Sequence, residues 1–175
     1  MKISERSWQE RLARWVRNPG KRLALVGIGN EQRRDDAAGV WIARRLAPLA
    51  SDSLLILDAG HAPENSTAAL RRFAPDSILL IDAAEMGEAP GSVRLLETAE
   101  IEGMSASTHS LPLSMLADYL RLELGCEVLL LGIQPASTEY GEGIGEEVGE
   151  ALRRIIPILR SGGTQPSAPA SRIYP

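Results

Sequence analysis

Residues 23–30 read LALVGIGN, an apolar run from Leu23 to Ile28 that enters a glycine turn and then the acid pair Asp35 and Asp36. Two further runs also lead into acids: Leu54–Leu57 into Asp58, and Ile78–Ile81 into Asp82. Short runs rich in Leu, Ile and Val, without strict alternation, describe strands buried on both faces. Interleaved with helical segments, they define an α/β fold: three layers, with a mainly parallel twisted sheet covered by helices on both faces, in a single domain. Such sheets hold their ligands at the carboxyl ends of the strands, where these acids stand. A metal-binding crevice is the leading reading.

Outward from the strands, residues 5–17 place Trp8, Leu12, Trp15 and Val16 at helical spacing, and Asn18-Pro19-Gly20 ends that helix. It is expected to pack against the domain. A second helix is expected from near Asp35, burying Val40, Trp41 and Leu46 and stopping before Pro48. Pro63 to Ser66 turn into a short helix ending at Phe73. Pro90-Gly91 turn the chain into SVRLLE, a strand near the sheet edge. Ser110 and Pro112 open a helix to about Glu123, VLLLGI forms the last core strand, and Glu146–Arg160 the last helix. The organisation is thus an N-terminal helical extension (1–20), an α/β domain (21–160) and a flexible tail rich in Gly, Ser and Pro (161–175). Strand order is not set by these patterns.

A net charge of −4 argues against a nucleic-acid surface. No apolar run nears the ~20 residues that span a bilayer, and the N-terminus lacks the apolar core and cleavage site of a secretory signal. A single cysteine, Cys126, excludes an internal disulfide. These features point to the cytoplasm.

His109 lies in Ser107-Thr108-His109-Ser110, just ahead of a helix, and is one of two histidines in the chain. With Asp36 and Asp82 it gives a mixed oxygen and nitrogen donor set, suited to nickel, zinc or iron and too rich in nitrogen for calcium. One acid of the pair Asp35-Asp36 is expected to cap the following helix, leaving the other to face the crevice. Gly27-Ile28-Gly29 begins a dinucleotide fingerprint, but Gln32 replaces its third glycine and the acid pair repels a pyrophosphate. Pro63 breaks any zinc-protease helix between His61 and Glu64. Cys126 reads as core packing. There is no Gly-x-Ser-x-Gly, and Asp58-Ala59-Gly60 lacks the hydroxyl residue and second copy of a pepsin-like site.

The succession LVGIGNEQRRDDAAGV, LDAGHAPEN, LLIDAAEMGEAPGSVRLL, STHSLPLSML and LLGIQP, across residues 23 to 135, resembles the nickel–iron hydrogenase maturation endopeptidases. The similarity is to the branch that processes formate-hydrogenlyase-type hydrogenases. The resemblance implies a cytoplasmic, monomeric, aspartic-type endopeptidase that removes the C-terminal extension of a hydrogenase large-subunit precursor after nickel insertion. It places metal contacts on Asp36, Asp82 and His109 and a further functional acid, the candidate catalytic residue, on Asp58. The nickel would come with the substrate, although zinc or cadmium also suits the site, and recognition should weaken as His109 protonates in mild acid. Two residues depart from the family pattern: Arg34 stands where glycine usually precedes the acid pair, and His61 where Thr or Ser is usual. The first bears on the path of the loop; the second offers an extra ligand or a substrate contact. The competing reading is a non-catalytic metal- or precursor-binding chaperone of the same fold, and no nucleic-acid or membrane partner is expected.

Overall fold

The computed structural model describes residues 6–101 and 112–162. Five strands, β1 (Leu23–Ile28), β2 (Leu54–Gly60), β3 (Ser77–Ala83), β4 (Val93–Glu97) and β5 (Glu127–Ile133), form one sheet in the order β2-β1-β3-β5-β4. β2, β1, β3 and β5 are parallel, and β4 closes one edge antiparallel to β5. β1, β3 and nearly all of β5 are buried, as their unbroken apolar composition requires, whereas the edge strand β2 is only half-buried.

Alternation along the strands sorts their side chains into two cores. Leu23, Leu25, Leu79, Ile81, Leu129 and Leu131 meet α1 (Arg6–Val16), α2 (Ala38–Leu46) and α6 (Glu146–Arg160) on one face. Ala24, Val26, Ile78, Leu80, Val128 and Leu130 meet α3 (Thr67–Phe73), α4 (Thr98–Ile101) and α5 (Leu113–Leu124) on the other. The helix at the N-terminus is part of the first layer: Trp8, Leu12, Trp15 and Val16 are buried. The Trp15 indole donates to Ser77 Oγ at 2.6 Å, and that hydroxyl donates to Glu127 at 2.8 Å.

α2 departs from the expected pattern in two ways. It is preceded by a 3-10 turn (Arg34–Ala37), and Trp41, expected inside, is 40% exposed beside Arg45. The cause is the phase of the helix: Gly39 lies directly against the sheet, and Trp41, two positions on, falls on the opposite side. A Cβ on Gly39 would lie 2.1 Å from the Ile81 carbonyl oxygen, and one on Gly27 would lie 2.2 Å from the Gly39 carbonyl oxygen. Where helix and sheet touch at Gly39 only a residue this small fits, while Ile42 and Leu46 fill the core on either side of it.

Cys126 is buried in the second core, as expected of a packing residue. Desolvation pushes its thiol above the ordinary value of 9.0, and the nearby Asp76 and Glu127 charges add to the effect. The folded state therefore holds its proton to higher pH than the unfolded chain, and this contribution to stability is lost as pH rises past 9. A thiol reagent at neutral pH is expected to label Cys126 slowly in the native protein and rapidly in denaturant, as read by absorbance.

Candidate active site

The strand order reverses between β1 and β3, because the chain leaves β1 for β2 on one side and returns to β3 on the other. Crevices at the carboxyl ends of parallel strands form at such switch points. Asp36 follows β1 and Asp82 ends β3, so the two stand on either side of this one, and the Arg34–Ala37 turn packs against β3. Both are buried, Asp36 at 2% exposure and Asp82 at 0%.

The turn carrying Asp36 is built by close backbone approach. Gly29, at φ +147°, passes so near that a Cβ there would lie 1.8 Å from the Asp36 carbonyl oxygen. The glycine therefore serves the acid turn instead of a pyrophosphate. The Asn30 N–H donates to Asp36 Oδ2 at 3.0 Å, and the Gly29 N–H donates to the Gly60 carbonyl at 2.8 Å, tying the turn to the end of β2. Arg34, which stands where glycine is usual, itself adopts φ +47° in the left-handed region. Its guanidinium lies against Gly141, where a Cβ would meet Arg34 Nε at 2.9 Å.

Asp35 corrects the expectation that one of the pair caps α2. No side-chain cap bond is made at this helix or at the turn before it. At 1% exposure, the Asp35 carboxylate instead crosses to the segment after β5. It accepts the N–H groups of Ala136 at 2.8 Å and Ser137 at 3.1 Å on Oδ2, and that of Gly145 at 2.7 Å on Oδ1.

On the other side of the crevice, Asp82 pairs in register with Gly132 of β5. The loop after it is organised by Gln134, a residue that the strand pattern did not single out. Gln134 is 3% exposed. Its Oε1 accepts the Met86 N–H at 2.7 Å and the Glu88 N–H at 3.3 Å, while Nε2 donates to the Glu85 carboxylate at 2.7 Å. An amide directly following an unbroken apolar strand and preceding proline was the available signal.

Asp58 sits one strand beyond β1, opposite Gly27, and is exposed. Arg44 Nε donates to its Oδ2 at 2.7 Å, the Gly60 N–H donates to its Oδ1 at 3.1 Å, and Arg44 also grips the Glu31 carboxylate. Hydrogen bonds to Glu31 and then to Asp58 raise the Arg44 pKa further above its ordinary value, so the guanidinium stays charged. His61, at the tip of β2, is exposed. His109 lies outside the described residues. It precedes Pro112, the N-cap of α5, by three positions, and α5 packs on the same sheet face as Ile78 and Leu80, the face that alternation along β3 assigns to Asp82. Among the described residues, no group of three or more His, Cys, Asp or Glu could hold a metal ion.

Comparison with known proteins gives this arrangement a context. The sequence matches the hydrogenase maturation protease family (HycI) over residues 41–161. It is 38% identical over 136 residues to the hydrogenase 3 maturation protease of Escherichia coli K12, covering 77% of this chain and 86% of that one. The fold superposes on the crystal structure of the NiFe hydrogenase maturation protease HycI from Thermococcus kodakarensis KOD1 with a TM-score of 0.72. That pair shares 36% identity and covers 81% and 95% of the respective chains. The solution structure of the endopeptidase HycI from Escherichia coli gives a TM-score of 0.71 at 32% identity, with 79% and 89% coverage. Fold and kinship together define a peptidase on a single-domain α/β scaffold. The chain belongs to the hydrogenase maturation protease family.

Proposed function

We propose that this peptidase removes the C-terminal extension of a NiFe hydrogenase large-subunit precursor once nickel has been inserted, reading the nickel on the substrate through Asp36, Asp82 and His109. The observation that carries this reading is the pair of buried carboxylates at neighbouring strand ends across the switch point of a family peptidase. Two carboxylates and an imidazole make a donor set compatible with nickel. The donors bind it only when deprotonated. A precursor lacking nickel would offer these donors no cation to bind, so cleavage waits on cofactor assembly. Hydrolysis would draw on a carbonyl or water polarised by the substrate's nickel, with Asp58 positioning the reacting group or accepting a proton. The engagement of Asp58 by Arg44 and Gly60 favours the positioning role.

The proposed reaction runs in the cytoplasm with the monomer as the acting unit. The lone cysteine agrees with that compartment. Among the described residues, no helix is long and apolar enough to cross a membrane.

The test is incubation with nickel-loaded and nickel-free precursor, followed by intact-mass measurement. A mass loss at the precursor's C-terminus is expected with the loaded form alone. Binding without mass loss would identify a chaperone instead, and equal cleavage of both forms would remove the nickel checkpoint.

A further inference from the structure

The stretches of chain that flank the two acids of the crevice are both tied to a third segment, residues 134–145, that carries neither acid. Around Asp36, the chain from Gln32 to Asp35 runs alongside it. The Gly141 N–H donates to the Gln32 carbonyl and the Arg34 N–H to the Gly141 carbonyl, both at 2.9 Å, and the Asp35 N–H donates to the Ser137 carbonyl at 3.2 Å. Arg33 Nε adds a bond to the Thr138 carbonyl at 2.9 Å. The buried Asp35 carboxylate completes this stitching with its three amides, each a charge-assisted bond. Beyond Asp82, Gln134 fixes residues 85–88 through its side chain. Its backbone also exchanges bonds with Gly91 and Ser92, at 2.9 and 2.8 Å. Gln134 and Ala136, the attachment points of the two clamps, are two residues apart in the chain.

We infer that the segment after β5 sets the spacing between Asp36 and Asp82, with Asp35 and Gln134 as its two positioning residues. The inference rests on the proposed reading of substrate-borne nickel by these acids. Neither positioning residue touches the metal. Asp35 is the chain neighbour of Asp36, and Gln134 fixes the loop at residues 85–88 that leads away from Asp82. Supporting groups around a metal commonly govern its affinity by about 10- to 100-fold. The chemistry of each clamp depends on the atoms present. In Asp35→Asn, one carboxylate oxygen becomes an NH2 donor. If the remaining oxygen keeps Ala136 and Ser137, that donor faces the Gly145 N–H, and two donors repel. In Gln134→Glu, the acceptor for Met86 and Glu88 survives, but the donor to Glu85 becomes a second carboxylate facing the first.

The experiment measures binding of nickel-loaded and nickel-free precursor to the wild type, Asp35→Asn, Gln134→Glu and Asp36→Asn, with amide hydrogen exchange on each free protein. Both positioning variants are expected to reduce the preference for the loaded precursor by at least about tenfold while leaving nickel-free binding within about twofold. Exchange is expected to quicken at Ala136, Ser137 and Gly145 in Asp35→Asn, and at Met86 and Glu88 in Gln134→Glu. A merely structural role would weaken both precursors alike, leaving the preference unchanged. Should Asp35→Asn fail to fold, Gln134→Glu decides. A folded positioning variant that retains the full preference overturns the inference. If Asp36→Asn has lost the preference in the same experiment, the nickel reading survives that result. If Asp36→Asn retains it too, the nickel reading falls and takes the inference with it.

Discussion

Asp82→Asn and His109→Ala are each expected to abolish processing of the nickel-loaded precursor while the sheet stays folded. Asn matches Asp in shape, so the β3 ladder to β5, made by backbone groups, is undisturbed. What disappears is an anionic donor at a site with 0% exposure, where little water is available to replace it. Removing a supporting group around a metal already costs about 10- to 100-fold, and loss of a direct donor should exceed that. His109→Ala removes the only nitrogen donor of the proposed set. A single-turnover time course by intact mass would check both, with far-UV circular dichroism as the control for folding. Full-rate processing by either folded variant would remove that residue from the site.

The strands were legible because burial on both faces leaves no room for polar residues. The runs at Leu23, Ile78 and Val128 therefore announce themselves, and each strand ends where polarity returns. The run at Leu54 reads the same way although it forms the half-buried edge strand β2. SVRLLE, with exposed Arg94 and Glu97, also reads correctly as an edge strand. The position of Asp82 was legible for a related reason, since an acid at the end of a buried strand must reach the sheet rim, and that of Asp36 because the turn after β1 returns to the same rim. The role of Asp35 was not. Its three partners lie more than a hundred residues away in the chain, and adjacency to a helix start suggested a local cap that the structure does not make. Trp41 lies outside because the close seam at Gly39 sets the rotation of α2, and a residue two positions on falls on the opposite face from Ile42, Ala43 and Leu46. Strand order depends on crossovers whose direction leaves no trace in local composition.

That seam supplies the second large effect. Gly39→Ala is expected to destabilise the protein by about 3 kcal/mol, the upper end of ordinary overpacking, although alanine is the better helix former by about 1 kcal/mol. Sterics win because of what the new methyl meets. It would lie 2.1 Å from the Ile81 carbonyl oxygen, 2.4 Å from that of Ile28 and 2.7 Å from the Ile28 nitrogen. All three are backbone atoms of central strands and cannot rotate aside, so α2 as a whole must lift. Gly149 in α6 provides the internal contrast, because a Cβ there meets nothing within 4 Å. Gly149→Ala should therefore gain about 1 kcal/mol from propensity alone. In a domain of this size each kcal/mol moves Tm by about 2–4 °C, so the two variants should melt on opposite sides of the wild type, about 8–16 °C apart. Lifting α2 also drags the Arg34–Ala37 turn from which it continues. Gly39→Ala should thus process the precursor more slowly even at temperatures where it is fully folded, and Gly149→Ala should not. Equal melting temperatures for the two variants would show that the seam can open without cost, and equal processing rates that lifting α2 does not disturb the turn.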